Sequence, residues 1–201
     1  MRTCPEDFWR LAGELAADEL LETMDESYNN VINLGTADIY GTLEETLTYE
    51  KTAELCAIAE GKAVDADCAM VSLNEYHGDD LYNSVGVGWY LWKGRIDTHA
   101  VNLIRPSTTT ISVLTLTGAE IKALQAGGLN LNDNDRPYEY LLVTKDGMEL
   151  KDNQVYRLAV GTQELEEELR DKAEVFEISA QTAITKYITE LGTFDAADIT
   201  W

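Results

Sequence analysis

Residues 108–124 read TTTISVLTLTGAEIKAL, and the rest of the chain is organised around this stretch. Its first half places Ile111 and Val113 among threonine and serine residues, which predicts a half-buried, β-branched strand. Thr117 is followed three positions later by Glu120, the pattern of a capping box, which predicts the start of a helix. The stretch therefore predicts a strand, a tight cap and a short helix in succession.

The chain as a whole is strongly acidic. It has 201 residues, of which 37 are Asp or Glu and 15 are Lys or Arg, and its formal net charge is −22. Nucleic acids bind basic surfaces, so we expect no nucleic-acid partner. No apolar run is as long as a membrane span, and the N-terminus lacks a signal-peptide pattern, so we expect neither in this chain.

The three cysteines are sparse and include no Cys-x-x-Cys pair. They therefore do not predict a disulfide framework or a zinc site. Cys56 and Cys68 lie on apolar faces and are predicted to be small buried side chains. The sequence leaves open whether these two pair with each other.

The N-terminal segment predicts a helix. Thr3 and Glu6 form a capping box, and apolar residues recur at helical spacing at Trp9, Ala12, Ala16, Leu20 and Met24. We predict a helical arm or linker over residues 1–29 and a single domain over residues 30–201.

Turn signals and apolar periodicity predict the remaining elements and an α/β (α+β) domain, a mixed β-sheet with packed helices. These elements are an extended segment over 31–40 ending at Gly41, a helix over 44–61 stopped by Gly61, a strand over 66–71, a hairpin with strands 138–144 and 148–150, a strand over 155–160, a short acidic helix over 163–172, and a last helix from Ser179 to Gly192.

The central stretch resembles the C-terminal domain of the 5'-nucleotidases, the half of those enzymes that holds the nucleoside. Residues at family positions, matched without a gap, are Gly94, Ile96, Pro106, Thr110, Leu116, Thr117, Gly118 and Ala119. Residues 66–71, ADCAMV, are similar to the family's Ala-Asp-Ile-Ala-Leu-Val. The resemblance extends over residues 30–200 and implies the family's fold, including a last helix that ends at a glycine.

The family's three ligand-binding motifs are altered here. Its glycine-rich loop with a phosphate-pairing arginine corresponds to Ser72 through His77, which contains neither glycine nor arginine. Its first base-stacking aromatic corresponds to Ser107, and its second, with the following glycines, corresponds to residues 162–168. The acidic run at 164–168 is interpreted as one solvated helix face. A framework that persists after its motifs have changed indicates a site that was lost or replaced.

The family hydrolyses phosphate esters with two divalent metals, which a separate N-terminal domain holds. This chain has only His77 and His99 and lacks the metal-binding motifs of that domain. His77 with Asp79 and Asp80, and the polar loop at 130–135, are weaker metal or calcium candidates, and a solvated loop is favoured for each. We therefore expect no catalytic residue, metal site or cofactor in this chain.

Four residues are candidates for ligand binding. Arg95 and Arg105 flank the position where the family holds its ligand and could contact an anion, although surface ion pairing is favoured. Trp89 and Trp92, together with Tyr90, could form an aromatic platform, although core packing or a domain contact is favoured.

Two functions follow from the resemblance. The first is a non-catalytic binding or interaction module within a larger cell-surface or exported protein, joined to an upstream metallophosphoesterase or another domain. The alternative is the nucleotide-binding domain of a metal-dependent nucleotide phosphoesterase in nucleotide catabolism, whose metal domain lies outside this chain and whose ligand is a nucleoside or nucleotide. The chain alone is not expected to be catalytic.

Overall fold

The computed structural model describes residues 38–73, 86–88, 90–106, 108–127 and 139–201. The predicted N-terminal arm and its boundary at residue 29 lie outside the described residues, as does most of the predicted extended segment over 31–40. Residues 39–201 pack into one unit.

Eight strands form two mixed sheets in the described part of the chain. The strands are β1 (Ile39–Leu43), β2 (Cys68–Leu73), β3 (Gly94–Asp97), β4 (Thr110–Thr117), β5 (Glu139–Thr144), β6 (Val155–Gly161), β7 (Glu174–Ser179) and β8 (Thr193–Phe194). The smaller sheet has the order β3-β1-β8, and the larger has the order β5-β2-β6-β4-β7. The β1–β8 and β2–β6 pairs are parallel and the other pairs are antiparallel. The predicted mixed α/β class is confirmed, with two sheets.

Five α-helices accompany the strands in the described residues. They are α1 (Tyr49–Ala63), α2 (Thr98–Ile104), α3 (Gly118–Gly127), α4 (Glu167–Arg170) and α5 (Ala180–Leu191). Asp97 caps α2, because its Oδ1 atom accepts hydrogen bonds from the amides of His99 and Ala100. His99 lies exposed on that helix. The predicted last helix is confirmed: Ser179 caps α5, and Gly192 ends it with a φ of 71°.

The central strand, β4, is buried on both of its faces. It lies between β6 and β7, and Ile111 and Val113 belong to one hydrophobic core while Leu114 belongs to the other. The prediction of a half-buried strand is therefore wrong for this part of β4. The reason is tertiary: an inner strand of a sheet with packing on both sides has no solvent face.

The predicted capping box is confirmed at the β4–α3 junction. The backbone and hydroxyl of Thr117 donate to Glu120 Oε2 at 2.8 and 2.7 Å. The Glu120 amide returns a bond to Thr117 Oγ1 at 3.3 Å. These bonds lower the pKa of the Glu120 carboxyl, since they favour its charged form.

Two glycines that were predicted as stops lie inside regular elements. Gly41 is within β1, where a Cβ atom would lie 2.7 Å from the carbonyl oxygen of Gly192. Gly61 is within α1, where a Cβ would lie 2.1 Å from the ring of Trp201. Both glycines permit close packing. The prediction that Gly41 ends the extended segment and that Gly61 ends the helix is therefore wrong.

The predicted hairpin around residues 145–147 is also wrong. The turn itself exists as a 3-10 turn at Lys145–Gly147, with φ values of 53° at Asp146 and 69° at Gly147. However, β5 pairs with β2, and Leu150 packs into the second core instead of extending a strand. Turn chemistry predicted the bend, but the partner of β5 is a strand from much earlier in the chain.

Candidate functional site

The described parts of the three altered motifs lie close to one another. We call them the three motif segments: Ser72 with Leu73 at the end of β2, residues 105–106 and 108–109 before β4, and residues 162–168 after β6. The Ser72 amide donates to Glu164 Oε2 at 2.9 Å, and the Gln163 amide donates to Thr109 Oγ1 at 3.0 Å. The three motif segments are therefore hydrogen-bonded to one another.

A buried charged cluster lies at this convergence and comprises Glu60, Arg105 and Glu164. All three side chains are 0% exposed. Arg105 Nε donates to Glu60 Oε1 at 2.9 Å, and Arg105 Nη2 has a longer contact of 3.5 Å with Glu60 Oε2. Arg105 Nη2 also donates to Glu164 Oε1. One guanidinium therefore joins carboxylates from two distant elements.

Local structure brings these side chains together. Glu60 is on the buried face of α1, Arg105 is the C-cap residue of α2, and Glu164 ends the 3-10 turn Thr162–Glu164. Gly161 leaves the space that they occupy. A Cβ there would lie 2.7 Å from Arg105 Nη2 and 2.8 Å from Glu164 Oε1.

The electrostatics of the charged cluster follow from burial and mutual pairing. Burial raises the pKa of Glu60 to about 7, with Arg105 opposing the rise and Glu164 adding to it. Burial acts to lower the pKa of Arg105, but the carboxylates of Glu164 and Glu60 outweigh it and hold that pKa above its ordinary value. Arg105 is therefore a permanent cation in the core of the molecule.

A group of bonded hydroxyls joins β4 to the 3-10 turn that contains Glu164. Thr162 Oγ1 accepts from Thr110 Oγ1 at 2.8 Å, lies 2.7 Å from Ser112 Oγ, and donates to the Thr110 carbonyl at 2.9 Å. Ser72 differs: among the described residues, its Oγ is the one buried side-chain N or O atom without a hydrogen-bond partner. A Cβ on Gly86 would lie 2.2 Å from that Oγ.

The two cysteines in the described part of the chain offer no nucleophile. Cys56 and Cys68 are buried and free, so the predicted burial is confirmed and the two do not pair. Burial raises the pKa of Cys56, and the adjacent Glu60 carboxylate adds to the effect. Burial also raises the pKa of Cys68 to about 12. Since the reactive species of cysteine is the thiolate, both side chains are inert.

The four predicted ligand-binding residues have different surroundings. Arg95 is exposed on β3, whereas Arg105 is fully buried. The surface location expected for Arg105 is therefore wrong, although its ion pairing is observed. Trp92 is 60% exposed, and Trp89 lies outside the described residues. A role of these four residues in ligand binding stays a prediction.

Trp92 belongs to an aromatic surface cluster with Tyr49 and Tyr90. The ring centroids are 6.1 Å apart for Tyr49–Tyr90 and 6.2 Å apart for Tyr90–Trp92. Tyr90 is 45% exposed, while the intervening Leu91 is only 2% exposed and anchors the segment. The Leu91 amide donates to Thr52 Oγ1 at 3.0 Å. Core packing therefore does not explain Tyr90 or Trp92.

Sequence reasoning missed both carboxylates of the charged cluster. The sequence predicts that Glu164 belongs to a solvated helix face, and this prediction is wrong. Glu164 ends a 3-10 turn that precedes the short helix α4, and its side chain is buried. Glu60 carried a usable signal, since it follows Cys56 by four positions on the apolar face of α1. The missing information was that Arg105 reaches that face.

The described residues contain no group of three His, Cys, Asp or Glu side chains that could hold a metal ion; His77, Asp79, Asp80 and residues 130–135 lie outside them. No helix in the described part is both long and apolar enough to span a membrane. A polar cleft of about 240 Å³ has an entirely uncharged lining of Tyr40, Thr98, Val101, Asn102, Ser179, Gln181, Thr182 and Thr185.

Comparison with known sequences finds no match: no family model fits the chain, and no curated protein matches it. Comparison with solved structures does find matches. A 5'-nucleotidase precursor from Thermus thermophilus aligns with a TM-score of 0.57 and 16% identity over 95% of this chain and 42% of the other. The NAD nucleotidase of Haemophilus influenzae aligns with a TM-score of 0.56 and 8% identity over 90% of this chain and 40% of the other.

A third structure, the sulfate thiohydrolase SoxB of Thermus thermophilus, aligns with a TM-score of 0.56 and 12% identity over 79% of this chain and 33% of the other. The chain thus spans about two fifths or less of the length of these three proteins. At such low identity the likeness concerns the fold. The chain therefore has a 5'-nucleotidase-like fold and spans only part of it, consistent with the predicted C-terminal-domain-like fragment.

Proposed function

We propose that this chain is a non-catalytic binding or interaction module within a larger surface or exported protein. The observation that carries the proposal is the charged cluster at the convergence of the three motif segments. In the resembled enzymes this is where a ligand and its phosphate would be recognised. Here the convergence is filled by side chains that bind one another.

An incoming phosphate would meet an unfavourable environment at this position. The guanidinium of Arg105 already lies between two carboxyl groups, and the negative charge that balances it would repel a second anion. Displacing one carboxylate would break a buried ion pair, at a cost of about 3–5 kcal/mol. That cost corresponds to a loss of roughly 10² to 10³-fold or more in affinity. The charged cluster therefore supports a structural role for Arg105 over a role in phosphate binding.

The aromatic surface cluster supports the interaction half of the proposal. Exposed tyrosine and tryptophan side chains are enriched at protein interfaces, where they contribute large contact areas at low entropic cost. Tyr90 and Trp92 are exposed, and the buried Leu91 holds them in place. An upstream metallophosphoesterase domain, or another domain of the parent protein, is the proposed partner. The surface or exported location rests on the resemblance to 5'-nucleotidases.

In the alternative function, the chain binds a nucleotide. In that case Trp92 would stack on a base and the exposed Arg95 would contact a phosphate, so that the chain is the nucleotide-binding part of a metal-dependent phosphoesterase. Base stacking on an aromatic side chain contributes about 1–3 kcal/mol, enough to be measured when it is removed.

Calorimetric titration of the chain with adenosine and with AMP tests the proposal. We expect no binding heat at millimolar ligand. Micromolar affinity that is lost in Trp92→Ala, and kept in a control variant of the exposed Leu103, Leu103→Ala, would overturn the proposal and establish the alternative. Leu103 is a suitable control because it is 55% exposed and belongs to none of the motif segments.

A further inference from the structure

The charges in the charged cluster do not balance when all three groups are ionised. One guanidinium faces two carboxylates, and each of these side chains is 0% exposed. If both carboxyl groups were ionised, one negative charge in the core would have no cation to balance it. An uncompensated buried charge is strongly unfavourable, and a group in this situation is neutralised by a proton instead.

We propose that the Glu60 carboxyl holds one proton up to neutral pH, and that release of this proton acts as a pH switch on the three motif segments. The proposal does not depend on the function proposed above. It concerns the protonation of Glu60, on which neither of the two candidate functions depends.

Hydrogen bonding assigns the proton to Glu60 and the charge to Glu164. Each oxygen of Glu164 accepts a bond, one from the Ser72 amide and one from Arg105 Nη2. Bonds of this kind favour the ionised form. Glu60 Oε1 accepts from Arg105 Nε at 2.9 Å, but its Oε2 has the longer contact of 3.5 Å. That oxygen is the place for a proton. Burial, which raises the pKa of Glu60 to about 7, points the same way.

Among the described residues, Arg105 is the one cation that pairs with Glu60. On its own helix the nearest titratable group is the Cys56 thiol, whose raised pKa keeps it neutral. Strand β2 carries no charged side chain. On β5, β6 and α5, which also pack against α1, the described titratable side chains are Tyr140, Tyr156, Arg157, Lys186, Tyr187 and Glu190. Tyr140 is half-buried, the hydroxyls of Tyr156 and Tyr187 bond to the backbone of Lys151 and Thr200, Arg157 pairs with Glu174, and Lys186 and Glu190 are exposed.

The charged cluster is connected to all three motif segments. Glu164 holds the Ser72 amide at the end of β2. Arg105 is the first residue of the motif segment that leads into β4, and its carbonyl accepts a bond from Gln181 Nε2 at 2.8 Å. When Glu60 ionises, the excess negative charge weakens the placement of Glu164 beside it. Higher pH therefore loosens the motif segments, and lower pH holds them together.

The direction of the pH effect on stability follows from the linkage between proton binding and folding. The ordinary glutamate pKa of 4.5 applies to the unfolded chain, and the folded value is higher, about 7. The folded chain then binds the proton more tightly, so this contribution to stability is fully present below pH 4.5 and is lost as the pH rises through 7. Across that window we expect the unfolding equilibrium constant to increase roughly a hundredfold from this group alone.

Carbon-13 NMR of the chain labelled at glutamate side chains tests the proton directly. We expect one glutamate carboxyl to titrate near pH 7, well above the ordinary range for this residue, and the Ser72 amide signal to shift with the same midpoint. Absence of any glutamate titrating above about pH 6 would overturn the proton site. A Ser72 amide that does not follow the titration would overturn the switch.

Three variants test whether the titrating carboxyl is that of Glu60. It should disappear in Glu60→Gln and persist in Glu54→Gln, a control on the same helix whose partly exposed carboxylate pairs with Lys51 at 2.9 Å. A titration that persists in Glu60→Gln and disappears in Glu164→Gln would overturn the assignment. Should Glu60→Gln not fold, the wild-type signals of the glutamate carboxyl and the Ser72 amide still decide the proposal.

Discussion

The charged cluster and the aromatic surface cluster use the residue types that proteins commonly employ for recognition, yet they differ in exposure. Arg105 is 0% exposed and bonded to two carboxylates, whereas Trp92 is 60% exposed and lies beside the ring of Tyr90. Both were candidates for ligand binding on sequence grounds. The buried Arg105 side chain joins two carboxyl groups within the fold, whereas the exposed Trp92 ring can contact a partner.

The difference in exposure has energetic consequences. A buried charge depends on its partners, because removing one partner leaves the others unpaired in a medium of low polarity. An exposed aromatic side chain keeps much of its contact with water in the folded state. Its removal therefore changes the free energies of the folded and unfolded states by similar amounts. Substitution should therefore cost much more stability in the charged cluster than in the aromatic surface cluster.

The largest effect is expected for Arg105→Met. This change leaves Glu60 and Glu164 facing each other without a cation, and we expect a loss of about 3–5 kcal/mol in the free energy of unfolding at pH 7. The measurement is urea-induced unfolding. The exposed Arg95 provides the control, since Arg95→Met should stay within about 0.5 kcal/mol of the wild type. Similar small losses in both variants would contradict the structural role of Arg105.

A smaller effect separates two buried serines that differ in hydrogen bonding. Ser72 and Ser112 are both 0% exposed, but Ser112 Oγ lies 2.7 Å from Thr162 Oγ1 and Ser72 Oγ has no partner among the described residues. We expect Ser112→Ala to destabilise by about 1 kcal/mol and Ser72→Ala to stabilise by a similar amount. Thermal unfolding of the two variants side by side gives the comparison, and equal signs would refute it.

The smallest effect is expected for Trp92→Ala, whose free energy of unfolding should change by about 0.5 kcal/mol or less. The neighbouring Leu91 is the matched contrast, because it is 2% exposed and Leu91→Ala should cost about 2–5 kcal/mol. Urea unfolding measures both. A loss for Trp92→Ala as large as that for Leu91→Ala would show that the aromatic surface cluster belongs to the core.

Much of the fold was predictable from short stretches of sequence. The capping box of Thr117 and Glu120, the strand beginning at Val155 and the last helix with its Gly192 end all depend on residues a few positions apart. The errors lie where a distant element decides the outcome. Gly61 is not a stop because the ring of Trp201 packs on it, and β5 forms no hairpin because β2 is its partner.

The candidate site was predictable only in outline. The altered motifs were visible in the sequence, and so was the fact that Arg105 stands next to one of them. Its partners were not visible, because Glu60 lies 45 positions and Glu164 lies 59 positions away along the chain. In the sequence Glu164 belongs to an acidic run, and such runs are usually solvated.

The sequence by itself determined several elements, the capping box, the acidic composition and the absence of the 5'-nucleotidase binding motifs, because each of these depends on composition or on contacts within a few residues. Tertiary structure alone decided which charges are buried and which aromatic rings are exposed. The physical reason is that burial is a property of packed neighbours. A glutamate in the core and a glutamate in solvent have the same local sequence signature until the partner that neutralises one of them is in place.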